Sequence, residues 1–106
     1  MDDKRVKALK IGRRKVKVQY KPHPTNAGTT NFYPLRVEID PRESDDRENV
    51  DTLLHEAIHA MWDVYRWPAR MSEETVAFHL GAGLTRLFLE NPGLATHIEE
   101  LLEATR

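Results

Sequence analysis

His55, Glu56 and His59 are the residues of this 106-residue chain whose types and spacing could do chemistry together. Histidines four residues apart on a helix project from the same side, so their ring nitrogens can bind one zinc ion at about 2.0–2.1 Å. Glu56 would project toward the same metal, slightly to one side. There a carboxylate can take a proton from an activated water, as the general base of peptide hydrolysis does. The spacing therefore predicts a catalytic zinc site.

The same three residues also have a purely structural interpretation. The histidines could be partly buried and bonded to backbone carbonyls, with Glu56 in solvent. They lie beside the main apolar stripe of their helix, however, where polar groups without partners lower stability. A metal ion would supply those partners, so we favour the metal site.

Two histidines do not complete such a site, because a catalytic zinc usually has three protein ligands and one open position. The next helix offers Glu73, Glu74 and His79. Glu74 lines up with the small residues Ala77 and Gly81, which would let two helices approach closely, and this favours Glu74. Glu73 suits the helix dipole. His79 would be level with the histidine pair in an antiparallel helix hairpin, so it stays a competitor.

The elements that must position these residues divide near residue 45. Before it, apolar residues alternate with polar ones, which predicts strands. Alternation over residues 16–20 predicts one strand, residues 6–11 a second that pairs with it, and Leu35–Ile39 a third. Residues 21–31 are rich in Pro, Gly, Asn and Thr, and predict a loop.

After residue 45, apolar residues recur at spacings of three and four, which predicts three helices. Asp45 or Asp46 can cap the first helix and Pro68 ends it. Ser72 can cap the second, and residues 91–93, Asn-Pro-Gly, separate it from the third. The predicted fold class is α+β: a small antiparallel sheet followed by three helices.

Length and composition limit the class of protein. The chain is long enough for one domain, with residues 1–44 as the sheet part and residues 45–106 as the helical part that carries the metal site. It contains no cysteine, which excludes disulfides and thiolate zinc ligands, so histidine and carboxylate must hold any metal. No apolar run approaches the length of a membrane span, and Met1–Arg5 leads into no signal-peptide core. We expect a cytoplasmic protein without a membrane partner.

Charge is distributed unevenly along the chain. Residues 1–21 carry nine Lys/Arg and two Asp/Glu, giving +7, whereas the rest carry seven and fifteen, giving −8. A basic end could contact nucleic acid or an acidic partner. Alternatively, the two halves pair with each other and the lysines are simply solvated. We favour this second interpretation, because no aromatic residues interleave with the basic ones as a stacking platform requires.

The segment Thr52–Ala60, Thr-Leu-Leu-His-Glu-Ala-Ile-His-Ala, resembles the zincin signature H-E-x-x-H after an apolar run. The segment from Glu74 to Leu84 is similar to the part of gluzincins and ImmA/IrrE-type metallopeptidases that carries a third, glutamate ligand. Residues 35–93 as a whole resemble small phage- and prophage-borne proteins of that kind.

This resemblance implies a minimal zincin-like domain that hydrolyses peptide bonds in a protein or peptide substrate. It implies His55, His59 and Glu74 as zinc ligands and Glu56 as the general base. It also implies that the edge of a strand, Leu35–Ile39 being the candidate, holds an extended peptide.

Several alternatives stay open. Trp62 and Tyr65 stand where metzincins have Gly and His, so metzincins are set aside, whereas SprT-type proteases with a third histidine remain through His79. Tyr33, Tyr65, Arg70 and His79 are candidates to stabilise the oxyanion. The rival function is a catalytically silent binding module that the metal stabilises.

Overall fold

The computed structural model describes residues 4–42 and 45–106, which form a four-stranded sheet followed by three helices. The strands are β1 (Ala8–Ile11), β2 (Arg14–Tyr20), β3 (Gly28–Phe32) and β4 (Leu35–Ile39), and the helices are α1 (Asp46–Val64), α2 (Glu73–Glu90) and α3 (Leu94–Glu103). The predicted α+β class, with the sheet preceding three helices, is confirmed.

The sheet is mixed, so the prediction of an antiparallel sheet is wrong. Its strand order is β1-β2-β4-β3. The pairs β1–β2 and β3–β4 are antiparallel hairpins, but β2 and β4 run parallel, with Lys17 opposite Arg36 and Tyr20 opposite Ile39. Alternation of apolar residues reports which face of a strand is buried. It carries no information about the neighbour that the strand pairs with, and this is why the parallel pair was not predicted.

Strand β3 occupies part of the segment that was predicted as a loop. Residues 28–31 of that segment pair with β4, with Thr29 opposite Glu38 and Asn31 opposite Arg36. All five residues of β3 are half-buried, so they show no contrast between an apolar and a polar face. The remaining signal was the preference of Thr and Phe for strands, which is weak by itself.

The core lies between one face of the sheet and α1. The sheet contributes alternate side chains, as period-two patterning requires, and α1 contributes one stripe. Buried members include Leu9, Ile11, Val16, Val18, Val37, Ile39, Leu53, Ala57, Ala60 and Met61. Helix α1 packs across β3 and β4, and α3 packs on α1, whereas α2 packs on β1. Each large aliphatic side chain contributes about 1.5–3 kcal/mol by leaving water, so this layer fixes α1 against the sheet.

The helix boundaries follow from capping. Asp45 accepts a hydrogen bond from the backbone N–H of Glu48 at 2.9 Å and caps α1. Ser72 caps α2 by accepting from the N–H of Thr75 at 3.2 Å. Helix α1 ends at Val64, earlier than the predicted stop at Pro68, because Arg66 adopts a left-handed conformation with φ 54°.

Helix α2 is anchored by its C-terminal half. Its fully buried residues are Gly83 and Leu87. A Cβ atom on Gly83 would lie 2.8 Å from Cζ2 of Trp67, whereas one on Gly81 would meet no heavy atom within 4 Å. The expectation that Ala77 and Gly81 mark a close helix approach is therefore wrong, because the close approach is at Gly83. Among the residues described, no helix has both the length and the apolar character that crossing a membrane requires.

Asn91, at the end of α2, fastens that helix to the outer edge of β1. The backbone N–H of Lys10 donates to Asn91 Oδ1 at 2.7 Å, and Asn91 Nδ2 donates to the Lys10 carbonyl at 2.8 Å. Side-chain amides can replace a neighbouring strand in this way, because they carry both N–H donors and an acceptor oxygen. Both backbone polar groups of Lys10 are thus satisfied at the sheet edge.

Candidate metal and active site

Helix α1 presents His55 and His59 to solvent on one side. Their ring centroids are 5.0 Å apart and the rings meet edge to face at 66°. Both are exposed, and the His55 side chain retains 67% of its accessible surface. The expectation that these histidines incur a burial penalty is therefore wrong. The four-residue spacing of the two histidines is therefore the only argument that they provide for a metal site.

Glu56 follows His55 in the same turn, and its side chain turns toward the core and β3. Only 8% of its side chain is exposed, because β3 crosses α1 at this point. The hydroxyl of Thr30 lies 2.8 Å from Glu56 Oε1 and 3.0 Å from the Glu56 carbonyl oxygen, so its single proton is shared between two acceptors. The other carboxylate oxygen, Oε2, is 3.9 Å from Nε2 of His55. Glu56 is therefore oriented between the strand and the histidine pair.

A glycine makes this close crossing possible. A Cβ atom on Gly28 would lie 2.7 Å from Cγ2 of Thr52 and 3.1 Å from Cγ of Glu56. Contacts below 3.0 Å cannot persist, so any larger residue would push β3 away from α1. Gly28 thereby sets the separation between the strand and the carboxylate.

A cleft of about 270 Å³ opens where β3 begins. It is lined by residues of β3, of the loop before it and of α1: Asn26, Ala27, Gly28, Asp51, Thr52, His55 and Glu56. Its polar lining and its position beside the histidines make it the natural place for a substrate group. The candidate base and one candidate ligand both face it.

The strand edge beside this cleft belongs to β3. The expectation that Leu35–Ile39 forms the edge is wrong, because that strand lies inside the sheet between β2 and β3. The Asp40 N–H donates to the Ala27 carbonyl at 2.8 Å. By the alternation of antiparallel ladders, the backbone groups of Gly28, Thr30 and Phe32 then point away from β4. In the described part of the chain no strand pairs with these groups, so an extended peptide can do so.

The third predicted ligand does not join the histidine pair. Glu73 and Glu74 are exposed in the first turn of α2. His79 packs against Trp67, with ring centroids 5.5 Å apart. Within residues 4–42 and 45–106, no three His, Asp or Glu side chains come together where a metal ion could bind. The structure thus assembles two of the three predicted ligands.

The candidate oxyanion donors lie elsewhere. Tyr65 packs under the guanidinium of Arg86, 4.2 Å from its ring centroid, and burial raises the pKa of its hydroxyl. Tyr33 is 96% exposed beyond β3, and Arg70 is exposed in the connection to α2. None of the four candidates lines the cleft.

Two residues of the site were not predicted from the sequence. Asp51 lines the cleft one turn before His55, and its spacing of four from that histidine was a usable signal. The sequence gives no signal for Thr30, because its contact with Glu56 joins residues that are 26 positions apart.

The site therefore offers two exposed imidazoles, one buried and oriented carboxylate, and an open strand edge beside a polar cleft. Comparison of the chain with protein-family models, with curated proteins and with solved structures finds no match.

Proposed function

We propose that this protein is a zinc-dependent peptidase in which His55 and His59 bind the metal and Glu56 is the general base. One observation carries the proposal. The two imidazoles lie 5.0 Å apart, His55 lines a cleft, and the Glu56 carboxylate lies between His55 and the strand. If the exposed histidines had only a structural role, they would not need an oriented carboxylate beside them.

The donor set fits zinc at two positions, because imidazole nitrogens are among its usual ligands. For the third position we propose Glu74, with Glu73 and His79 as rivals. The first half of α2 contains no fully buried residue. Few contacts therefore oppose a shift of the turn that carries Glu74, which supports its recruitment when metal binds.

Zinc at this position would polarise a scissile carbonyl and make the attacking water more acidic. The residues of the chain perform the remaining steps. Glu56 accepts the proton of that water through Oε2, the oxygen that faces His55, and returns it to the leaving amine. Thr30 holds Oε1, so the acceptor oxygen keeps its orientation through both transfers.

The substrate in this proposal is an extended segment of a protein or peptide in the cytoplasm. Its main chain would pair with the free groups of Gly28, Thr30 and Phe32, as in strand addition. Because Gly28, His55 and Glu56 line the same cleft, the part of the segment that pairs with Gly28 would lie beside the proposed ligand and base. Main-chain pairing does not select a sequence, so any preference for particular substrate residues would come from contacts with their side chains.

Zinc titration of the purified protein and of matched variants tests the proposal. We expect about one zinc per chain, and a zinc-dependent rise in Tm, since a ligand at 100 times its Kd adds about 2.7 kcal/mol. His59→Ala should abolish binding. Glu74→Gln should weaken it at least about tenfold, with Glu73→Gln and His79→Gln as matched controls. A parent that binds no zinc would show that the histidine pair is structural.

Replacing the base separates the enzyme from the rival binding module. Glu56→Gln keeps an oxygen for the Thr30 hydroxyl but cannot take a proton. Peptide hydrolysis should fall by about 10²–10⁴-fold, with zinc content and Tm unchanged. If the parent binds zinc but cleaves no peptide library, the metal-stabilised binding module is the better description.

A further inference from the structure

The face of the sheet that points away from α1 carries a cluster of cations. Lys10 on β1 and Lys15 and Lys17 on β2 are exposed, and Arg36 on β4 shares their face. We call these four residues the basic face. Ala8 lies opposite Lys17, and its short side chain leaves the lysine uncovered.

Like charges are paired directly across the strands of the basic face. Lys10 is opposite Lys15, and Lys17 is opposite Arg36. Such pairs are destabilising by some tenths of a kcal/mol each. In the described ranges no carboxylate forms a salt bridge with Lys10, Lys15 or Lys17. The repulsion would be relieved by an external anion.

The carboxylate on this side of the sheet does not neutralise the lysines. Glu38 is engaged by Lys21 at 2.5 Å, by Arg36 at 3.2 Å and by the amide of Asn31 at 2.7 Å. Its charge and its lone pairs are therefore taken up by Lys21, Asn31 and the Nε of Arg36, and none of the three lysines forms a salt bridge with it. The three lysines keep their full attraction for an anion.

The spacing of the basic face suits a row of phosphates. Side chains on one face of a strand repeat about every 6.7 Å, and neighbouring strands lie about 4.8 Å apart. The four cations thus form a stepped patch that runs from β1 across β2 to β4. A duplex presents one charge per about 1.7 Å of its axis, so such a patch meets several phosphates at once.

The chemistry of the face favours a duplex over other anionic partners. The outward positions of the four strands carry no aromatic residue (Ala8, Lys10, Lys15, Lys17, Gln19, Thr29, Asn31, Arg36 and Glu38). A single strand would find no stacking platform there. An anionic membrane would find no large apolar side chain to insert. Contacts to the phosphodiester backbone need only the cations.

We infer that the basic face binds double-helical nucleic acid through its phosphates, without reading sequence. This surface lies on the opposite side of the sheet from α1, so docking leaves the cleft and the edge of β3 open. The inference needs neither metal nor peptidase activity.

Fluorescence anisotropy with a 20-base-pair DNA of mixed sequence tests the inference. Four phosphate contacts predict a slope of about −3.6 for log K against log salt, which is a loss of about 150-fold between 50 and 200 mM. The variant Lys10→Gln/Lys15→Gln/Lys17→Gln should lower affinity at 50 mM salt by at least about 100-fold and reduce the slope to about −0.9. Several duplex sequences should bind within a few-fold of one another.

Arg47→Gln/Arg66→Gln/Arg70→Gln is the matched control, because it removes the same charge from exposed positions outside the sheet. It should lower affinity by less than about threefold. Three outcomes overturn the inference: no duplex binding at 50 mM salt, equal loss in both triple variants, or binding only to phosphatidylserine vesicles. The control variant should keep the parent Tm, since every replaced side chain is exposed, and the lysine variant should melt no lower than the parent, because it removes the like-charge pairs.

Discussion

Glu56 and its two histidine neighbours stand in opposite environments although they share one helical turn. The histidines are solvated. The carboxylate is buried, and the Thr30 hydroxyl is its hydrogen-bonding partner among the described contacts. A buried charge that loses its partner is destabilised by the full cost of its desolvation. The proposed general base thus depends on a strand residue that has no part in the proposed proton transfer.

Thr30→Val should lower the free energy of unfolding by about 1–3 kcal/mol, because it leaves the Glu56 carboxylate without its donor while keeping the side-chain shape. Thr30→Ser is the matched control, since it keeps the hydroxyl. Urea denaturation measures both. Equal stability of the Val variant and the parent would mean that Thr30 does not hold Glu56.

At the scale of elements, α2 is the least embedded of the three helices that follow the sheet. Phe78 and Leu89 are 72% and 74% exposed on it. Its two interior glycines have opposite surroundings. Gly83 receives the indole of Trp67, and Gly81 faces open space. The position of α2 relative to α1 is therefore set by the contact between Gly83 and Trp67.

Alanine at these two glycines should change stability in opposite directions. Gly81→Ala should raise the free energy of unfolding by about 0.5–1 kcal/mol, because alanine restricts the unfolded chain and suits a helix. Gly83→Ala should lower it by about 1–3 kcal/mol, since its Cβ would overlap a rigid ring. Urea denaturation of both variants gives the comparison. Similar shifts in the two would exclude close packing at Gly83.

At the scale of the whole molecule, local patterns predicted the elements and missed their arrangement. The stripes of α1, α2 and α3 and the caps Asp45 and Ser72 are confirmed. Strand β3 was missed because polar residues fill it, and the parallel pair because register is a tertiary property. The spacing of His55 and His59 predicted their proximity. The distance of Glu74 from them depends on how α2 packs, which its own periodicity does not encode.

The loss of unfolding free energy at acid pH should depend on Glu38. Its hydrogen bond with Lys21 lowers the pKa of the carboxyl below the ordinary value of 4.5, although burial acts in the opposite sense. A lowered folded-state pKa contributes stability above pH 4.5 that is lost as the pH falls through the folded value. The charged form therefore links β3, β4 and the loop after β2 at neutral pH.

Glu38→Gln should be less stable than the parent at pH 7, and the two unfolding free energies should converge toward pH 3. Glu100→Gln, on the exposed side of α3, removes the same charge and should stay within about 0.5 kcal/mol of the parent at both values. Urea denaturation at each pH supplies the free energies. A constant gap between parent and Glu38→Gln would contradict a titrating contribution.

The amide of Asn91 has a consequence for self-association. Sheets polymerise when each chain offers two free edges, because every added chain then exposes a new one. Here the outer groups of Lys10 on β1 are already occupied by Asn91, so a further strand cannot pair at that residue. Copies that meet edge to edge through β3 would bury the open edges of both. Association by this route would therefore favour pairs of chains over fibres.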